Sequence, residues 1–282
     1  MKIKQYIVTY NNRKVLDACL ESMIPAFETS SKDEFEVFII NNHSNFSMDE
    51  KFKDCVTVLH NDVRPDFSKG HLSRNWNQAI INGFVNLNNP DCDIVITNQN
   101  DTVFHPNYLD EVIELHKTYD LVQLGAGDSF LSYTPNSIKK VGLWDERFSN
   151  IGYQEADYFL RALLYLGEKC TINDHHHSRV FNPLQKNDVI VGGVINGFNR
   201  GEISHMESLP YHPIQHYLYK HKWHSVGEDD MSTTLYWNDL DKLKSARVKV
   251  PAYFYYPYFE KDMDNDSLLQ QNYIGWMTIK HL

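Results

Sequence analysis

Cysteine is scarce and scattered. Cys19, Cys55, Cys92 and Cys170 form no CxxC pair, which argues against a disulfide frame or a cysteine zinc site. The pattern fits reduced thiols, so a cytoplasmic protein is expected. Long apolar runs are missing too: none approaches the ~20 residues that span a bilayer. The opening MKIKQYIVTYNN has a short apolar run and no small-residue cleavage site, so no secretory leader is expected. Positive charge is in deficit, 27 Lys and Arg against 37 Asp and Glu, for a net charge of −10. That balance argues against a non-specific nucleic-acid binder. An anionic substrate would need a local arginine or a metal to offset the field. Repeats, low-complexity tracts and coiled-coil heptads are absent. The dinucleotide fingerprint is incomplete, since Gly125-Ala126-Gly127 is followed by Phe at position 130 where the third glycine belongs.

What is present is enough for a sizeable core. The chain has 282 residues, 42% of them hydrophobic and 13% aromatic, unlike a disordered sequence. Its centre is Asp93-Ile94-Val95-Ile96-Thr97-Asn98-Gln99-Asn100-Asp101. A β-branched apolar run reads as a buried strand and then turns polar, ending on a carboxylate. The spacing predicts a helix over 107–117. A strand that closes in polar groups before a helix is where open α/β sheets hold ligands, although Asn and Asp also satisfy simple turns.

The same design recurs along the chain. Strands are predicted at 3–9, 36–40, 56–59, 93–98 and 120–124, with helices at 15–23 and 72–85 between them. Pro25 is expected to help end the first helix. Such alternation implies a mainly parallel, doubly wound sheet. Three strands end in uncharged polar clusters, at 9–12, 41–45 and 98–101. Parallel strand ends share one edge, so the clusters are expected to converge.

Residues 154–166 read as an amphipathic helix with acids in its first turn, where the helix dipole favours them. Asp157 and Arg161 are spaced to pair along it. Glu155 lies about 200° around the helix from Asp157 and has no partner in the local sequence. A short strand at 170–172 leads into His175-His176-His177, readable as metal ligands or as a solvated strand end. The sequence changes character near residue 185. Residues 186–205 are rich in Gly and Asn, and 211–224 and 253–259 are rich in His and aromatics, able to pack a small core or stack on sugar rings.

Over residues 3 to about 182 this pattern resembles the family-2 glycosyltransferases of the GT-A fold, with a weaker echo at Lys222-Trp223. IVTYNN is similar to the family's first strand and nucleotide-binding turn, and IINNHSN to its "VDNGS" run, with Asn41 in place of the acid. Gly70-His71-Leu72-Ser73-Arg74 with Asn77-Gln78-Ala79 is similar to its "G-x-S … N-x-G" helix start. VITNQNDTVFHP resembles its D-x-D segment, with Gln99 in place of the first acid. VGLWDERF and YQEADYFLRALLYLG resemble its "VGxFDExF … EDxDLxxR … G" run.

The resemblance implies a GT-A type, Rossmann-like α/β sheet, doubly wound and mostly parallel, with helices on both faces. A catalytic domain over 1–185 would be followed by a mainly helical and aromatic extension over 186–282 that packs on it and shapes the acceptor site. It implies an inverting transfer from a nucleotide-sugar donor, uridine-based on family grounds, to a hydroxyl of a glycan or glycoconjugate. Glu155 matches the catalytic acid and would be the general base. Asp101 would hold Mn²⁺ or Mg²⁺, with His177, or alternatively His175, as a second ligand. Thr9, Tyr10, Asn11 and Asn41 would hold base and ribose. Arg74, Asn77 and Asn100 would face the diphosphate or donor sugar. The thinned acids at Asn41 and Gln99 keep two other readings in view: a nucleotide- or carbohydrate-binding module without catalysis, and a nucleotide-sugar pyrophosphorylase, for which YNNRKV is a poor match.

Overall fold

The computed structural model describes residues 1–10, 13–30, 34–43, 45–61, 72–124, 127–148, 153–172, 193–194 and 212–223. Its centre is the parallel set β1 (Ile3–Thr9), β2 (Phe35–Asn41), β3 (Val56–His60) and β4 (Ile94–Gln99). β1 lies between β2 and β4, in register Thr9 to Asn41 and Val8 to Gln99. β6 (Leu121–Leu124), β7 (Phe130–Tyr133) and β8 (Cys170–Thr171) extend the sheet in the order β3-β2-β1-β4-β7-β6-β8. β7 runs antiparallel to both its neighbours. A separate ribbon pairs β5 (Thr102–Val103) with β9 (Gly193–Val194).

β1 and β4 are buried along their whole length because helices cover both faces, β2 is mostly buried, and β3 at the sheet edge is only partly buried. On one face α1 (Arg13–Ser22), α2 (Ile24–Thr29) and α4 (Tyr108–His116) pack Leu16, Leu20, Ala26 and Val112 against Ile7, Ile39 and Ile96. On the other, α3 (Leu72–Phe84), α5 (Pro135–Val141) and α6 (Tyr153–Leu166) pack Trp76, Ile80, Ile138 and Leu160 against Tyr6, Ile40 and Val95. Gly83 lets α3 approach the sheet, since a Cβ there would collide with Val95 Cγ2. Trp144 stacks on Tyr158 at 4.2 Å and 5°, and full burial of each such ring contributes ~1.5–3 kcal/mol.

Two predictions are corrected. Pro25 does not end a helix: it sits in the first turn of α2, where its missing N–H costs nothing. The strand β7 was not predicted. FLSY at 130–133 offers only four residues after the Gly127-Asp128-Ser129 turn. Its burial comes from β4 and β6 on either side.

The helix α7 (His212–Trp223) lies against α6. Lys222 Nζ reaches Asp145 Oδ2 at 2.7 Å and Asp157 Oδ1 at 2.6 Å. Trp223 Nε1 donates to Asp157 Oδ1 at 3.0 Å. The predicted Asp157–Arg161 pair is present at 3.0 Å. Among the described residues no helix is long and apolar enough to cross a membrane.

Candidate active site at the carboxyl edge of the sheet

The chain leaves β1 toward β2 on one side and returns in β4 on the other, which makes the β1–β4 boundary a topological switch point. Open α/β sheets bind ligands there, outside the carboxyl ends of the strands. The expected polar clusters converge at this edge. Asn100 Nδ2 donates to Thr9 Oγ1 at 2.9 Å, and its backbone N–H donates to the Val8 carbonyl at 3.1 Å. The Asn42 N–H donates to the Thr9 carbonyl at 3.2 Å. Asn61 Nδ2 donates to Asn42 Oδ1 at 2.7 Å and to Asn75 Oδ1 at 3.2 Å, and Gln78 Nε2 donates to Asn61 Oδ1 at 3.0 Å. Tyr10 stands half-buried with its ring edge-on to His43, centroids 4.9 Å apart.

Other predicted residues are more engaged than the sequence implied. Asn41 is buried. Its Nδ2 donates to the His43 carbonyl at 2.6 Å and faces His60 Nδ1 at 3.0 Å, while its Oδ1 accepts the His43 N–H. It therefore shapes the turn after β2. Asn77 does not face a donor. It is 0% exposed, its Nδ2 donates to the Trp144 carbonyl and Glu146 Oε1, and its Oδ1 accepts the Trp144 N–H. That amide ties α3 to the loop before α6. Arg74 is half-exposed, with Nε 3.3 Å from Glu146 Oε2. Asn11, His175 and His177 lie outside the described residues.

Gln99 and Glu155 gain partners that local sequence did not show. Gln99 stays within β4, and its Nε2 donates to Asp128 Oδ1. Asp128 Oδ2 accepts from Trp76 Nε1 at 2.9 Å and Gln154 Nε2 at 3.1 Å. The Asp128 backbone N–H donates to Glu155 Oε1 at 3.2 Å. Gly127 adopts φ +53°, and a Cβ there would collide with Glu155 Oε1. Glu155 is thus a held carboxylate, in the first turn of α6, rather than one without a partner. Asp128 and Gly127 escaped the sequence reading because 125–127 was weighed only as a dinucleotide motif. An acid after a glycine, between two short apolar runs, was the signal available.

Asp101 follows β4 in the tight turn to β5 and is 1% exposed. Among the described residues no group of three or more His, Cys, Asp or Glu side chains is placed to hold a metal. One carboxylate does not make a protein cage, but it suits Mg²⁺ or Mn²⁺ shared with substrate phosphates. The donor set therefore fits a cation that arrives with a diphosphate.

The sequence model of glycosyl transferase family 2 matches residues 6–177. The chain belongs to that family. This family-2 chain has the GT-A fold in its mixed, mainly parallel sheet and two helix layers. Among solved structures it resembles a mannosyltransferase from Pyrobaculum calidifontis in complex with GDP-Man and Mn²⁺. Identity is 12%, the TM-score 0.50, and the match covers 87% of this chain and 72% of that one. Glucosyl-3-phosphoglycerate synthase from Mycobacterium tuberculosis, in complex with Mn²⁺, UDP and glucosyl-3-phosphoglycerate, matches with 12% identity and a TM-score of 0.46, over 69% of this chain and 72% of that one. S. aureus TarS 1-349 matches with 14% identity and a TM-score of 0.42, over 58% of this chain and 56% of that one. The family-2 chain therefore spans little more than half of the TarS fragment. No curated protein matches it.

Proposed function

We propose that the chain transfers a sugar from a nucleotide-sugar, most simply a UDP-sugar, to a hydroxyl of a glycan or glycoconjugate, with inversion at the anomeric carbon. The observation that carries this reading is the placement of Glu155. It sits on α6 within the family match, and the backbone at 127–128 holds its carboxylate. In the proposed step the acceptor oxygen attacks the anomeric carbon opposite the departing diphosphate. The new carbon–oxygen bond forms as the bond to the diphosphate breaks, and the diphosphate leaves with the electron pair. Glu155 takes the acceptor proton.

Thr9, Tyr10 and Asn11 would receive the base and ribose, with Asn41 holding the turn that bounds them. Asn100, bonded to Thr9, and the half-exposed Arg74 are the polar groups assigned to the diphosphate or donor sugar. Asp101, with His177 on family grounds, would hold Mn²⁺ or Mg²⁺. A bound divalent cation would neutralise charge on the leaving diphosphate. We keep residues 1–185 as the catalytic unit and 186–282 as the extension that shapes the acceptor site. The helix α7 against α6 supports that division.

Glu155→Gln tests the reading. With UDP- and GDP-sugars and Mn²⁺, nucleotide release and transfer should fall about a hundredfold or more, since general-base catalysis contributes roughly 10²–10⁴, while UDP binding persists. Normal transfer by this variant removes Glu155 as the base. The neutral Asn41 and Gln99 favour a second reading, a binding module without catalysis. It predicts nucleotide binding with no nucleotide release in the wild-type protein.

A further inference from the structure

The catalytic reading does not use the buried carboxylate of Asp128. Asp128 stands just before β7 and is 1% exposed. Its side chain collects N–H donors from three elements: Trp76 on α3, Gln99 on β4 and Gln154 on α6. All three are neutral side chains. Gln154 is itself fixed at its other end, where Oε1 accepts from Ser73 Oγ at 3.0 Å. The backbone N–H of Asp128 then points at Glu155 Oε1, and Gly127 leaves room for the Glu155 carboxylate to sit there.

We propose that Asp128 is the positioning residue for Glu155, and that it carries the negative charge that Gln99 does not. This rests on the reading of Glu155 as the base. The side-chain bonds fix residue 128, and fixing residue 128 aims its N–H at the base. The charge sits in the turn before β7 rather than on β4. An acid at position 99 would face the Asp128 carboxylate inside the protein, and two like charges in such a place do not both ionise. Acid at both positions would therefore hold one of the two protonated and disturb the bonds that Asp128 accepts. The bond geometry makes the exchange reversible. Oδ1 of Asp128 serves Gln99 alone among the bonds above, and Oδ2 serves Trp76 and Gln154. In Gln99→Glu with Asp128→Asn, the asparagine amide would donate to the new glutamate. Its oxygen would still accept from Trp76 and Gln154.

The test compares Gln99→Glu, Asp128→Asn and the double variant. Hydrogen exchange across 127–133 and 153–159 is read first, because it needs no substrate. Gln99→Glu should speed exchange there by about tenfold or more under conditions where the rest of the sheet stays protected, and adding Asp128→Asn should reverse it. Turnover is read as nucleotide release from UDP-glucose and GDP-mannose with Mn²⁺. Gln99→Glu should lower kcat by roughly ten- to a hundredfold, as misplacement of a catalytic group does, with KM for the donor changed by about twofold at most. The double variant should recover to within about threefold of wild type. A general loss of folding would instead lower protection everywhere and would not be suppressed by the second substitution. Unchanged exchange in Gln99→Glu, or a double variant no better than it, overturns the proposal. If Glu155→Gln keeps normal turnover, the base reading fails, and with it the role given to Asp128. If Glu155→Gln is inactive while Gln99→Glu behaves as wild type, only the positioning role fails.

Discussion

Lys222→Met isolates the bond between α7 and the Asp145 and Asp157 carboxylates. Lys222 Nζ bridges Asp145 and Asp157 at 2.7 and 2.6 Å, with all three side chains at most 3% exposed. Asp145 also pairs with Arg147 at 2.5 Å, and Asp157 with Arg161 at 3.0 Å. Burial pulls the Lys222 ammonium below its ordinary value more strongly than Asp145 and Asp157 pull it up. Burial pulls the Asp145 carboxyl up, yet Lys222 and Arg147 together outweigh it and hold it below the usual carboxylate range. For the lysine, desolvation outweighs the attraction, and such a buried bridge contributes little net stability. Breaking it is different, because two buried carboxylates each lose a partner. Orphaning a buried charge costs ~3–5 kcal/mol. Each aspartate keeps an arginine, so the low end, about 3 kcal/mol, is expected. Urea unfolding followed by tryptophan fluorescence reads this as a lower midpoint at unchanged slope. Adding Asp145→Asn to Lys222→Met should return about half of the loss, since one orphaned charge is removed. A loss under ~1 kcal/mol for Lys222→Met, the size of a surface pair, would refute the argument that the bridge is closed to water.

Three further outcomes are expected. Burial lowers His116 to about 4 from 6.5. Between those values the unfolded chain binds more protons than the folded one, so stability falls as pH drops through the window, by up to ~3 kcal/mol. Denaturation at pH 7 and pH 4.5 should show that slope flattened in His116→Asn. Asp101→Asn should weaken the Mn²⁺-dependent part of UDP binding by about tenfold or more, ~1.4 kcal/mol, in calorimetry with and without chelator; an unchanged Mn²⁺ effect removes Asp101 from the metal. Val85 is exposed at φ +61° just after α3, a strained conformation for a β-branched residue. Val85→Gly should raise stability by ~0.5–1 kcal/mol, and a lower melting temperature would contradict the strain.

The periodic parts of the fold were legible because each strand announces its own burial. Ile94-Val95-Ile96 and Val37 to Ile40 are β-branched or apolar on both faces, which a doubly covered parallel strand requires. The sheet's antiparallel strand was not legible, since Phe130 to Tyr133 owes its state to the neighbours it inserts between rather than to its own four residues. The site divided along the same line. Thr9, Asn42 and Asn100 could be brought together from sequence because parallel strand ends share an edge by construction. The partners of Asn77 and Glu155 were not legible, because they lie 67 residues away at Trp144 and 27 away at Asp128.

Gln99 shows why a motif read letter by letter misleads here. As a degraded D-x-D it suggested a site short of charge and a chain that had lost its chemistry. In the fold its amide is turned to the Asp128 carboxylate in the turn before β7, so the buried negative charge is relocated rather than lost. Among the described residues, what remains on the metal side is Asp101, and one carboxylate holds Mn²⁺ or Mg²⁺ well only when phosphate oxygens complete the shell. Metal and donor should therefore bind cooperatively. Mn²⁺ alone should bind weakly, and each should tighten the other by the same factor, as linkage requires. Titrating Mn²⁺ with and without UDP measures that factor directly. Equal Mn²⁺ affinity in both titrations would mean that the cation has a complete protein site elsewhere.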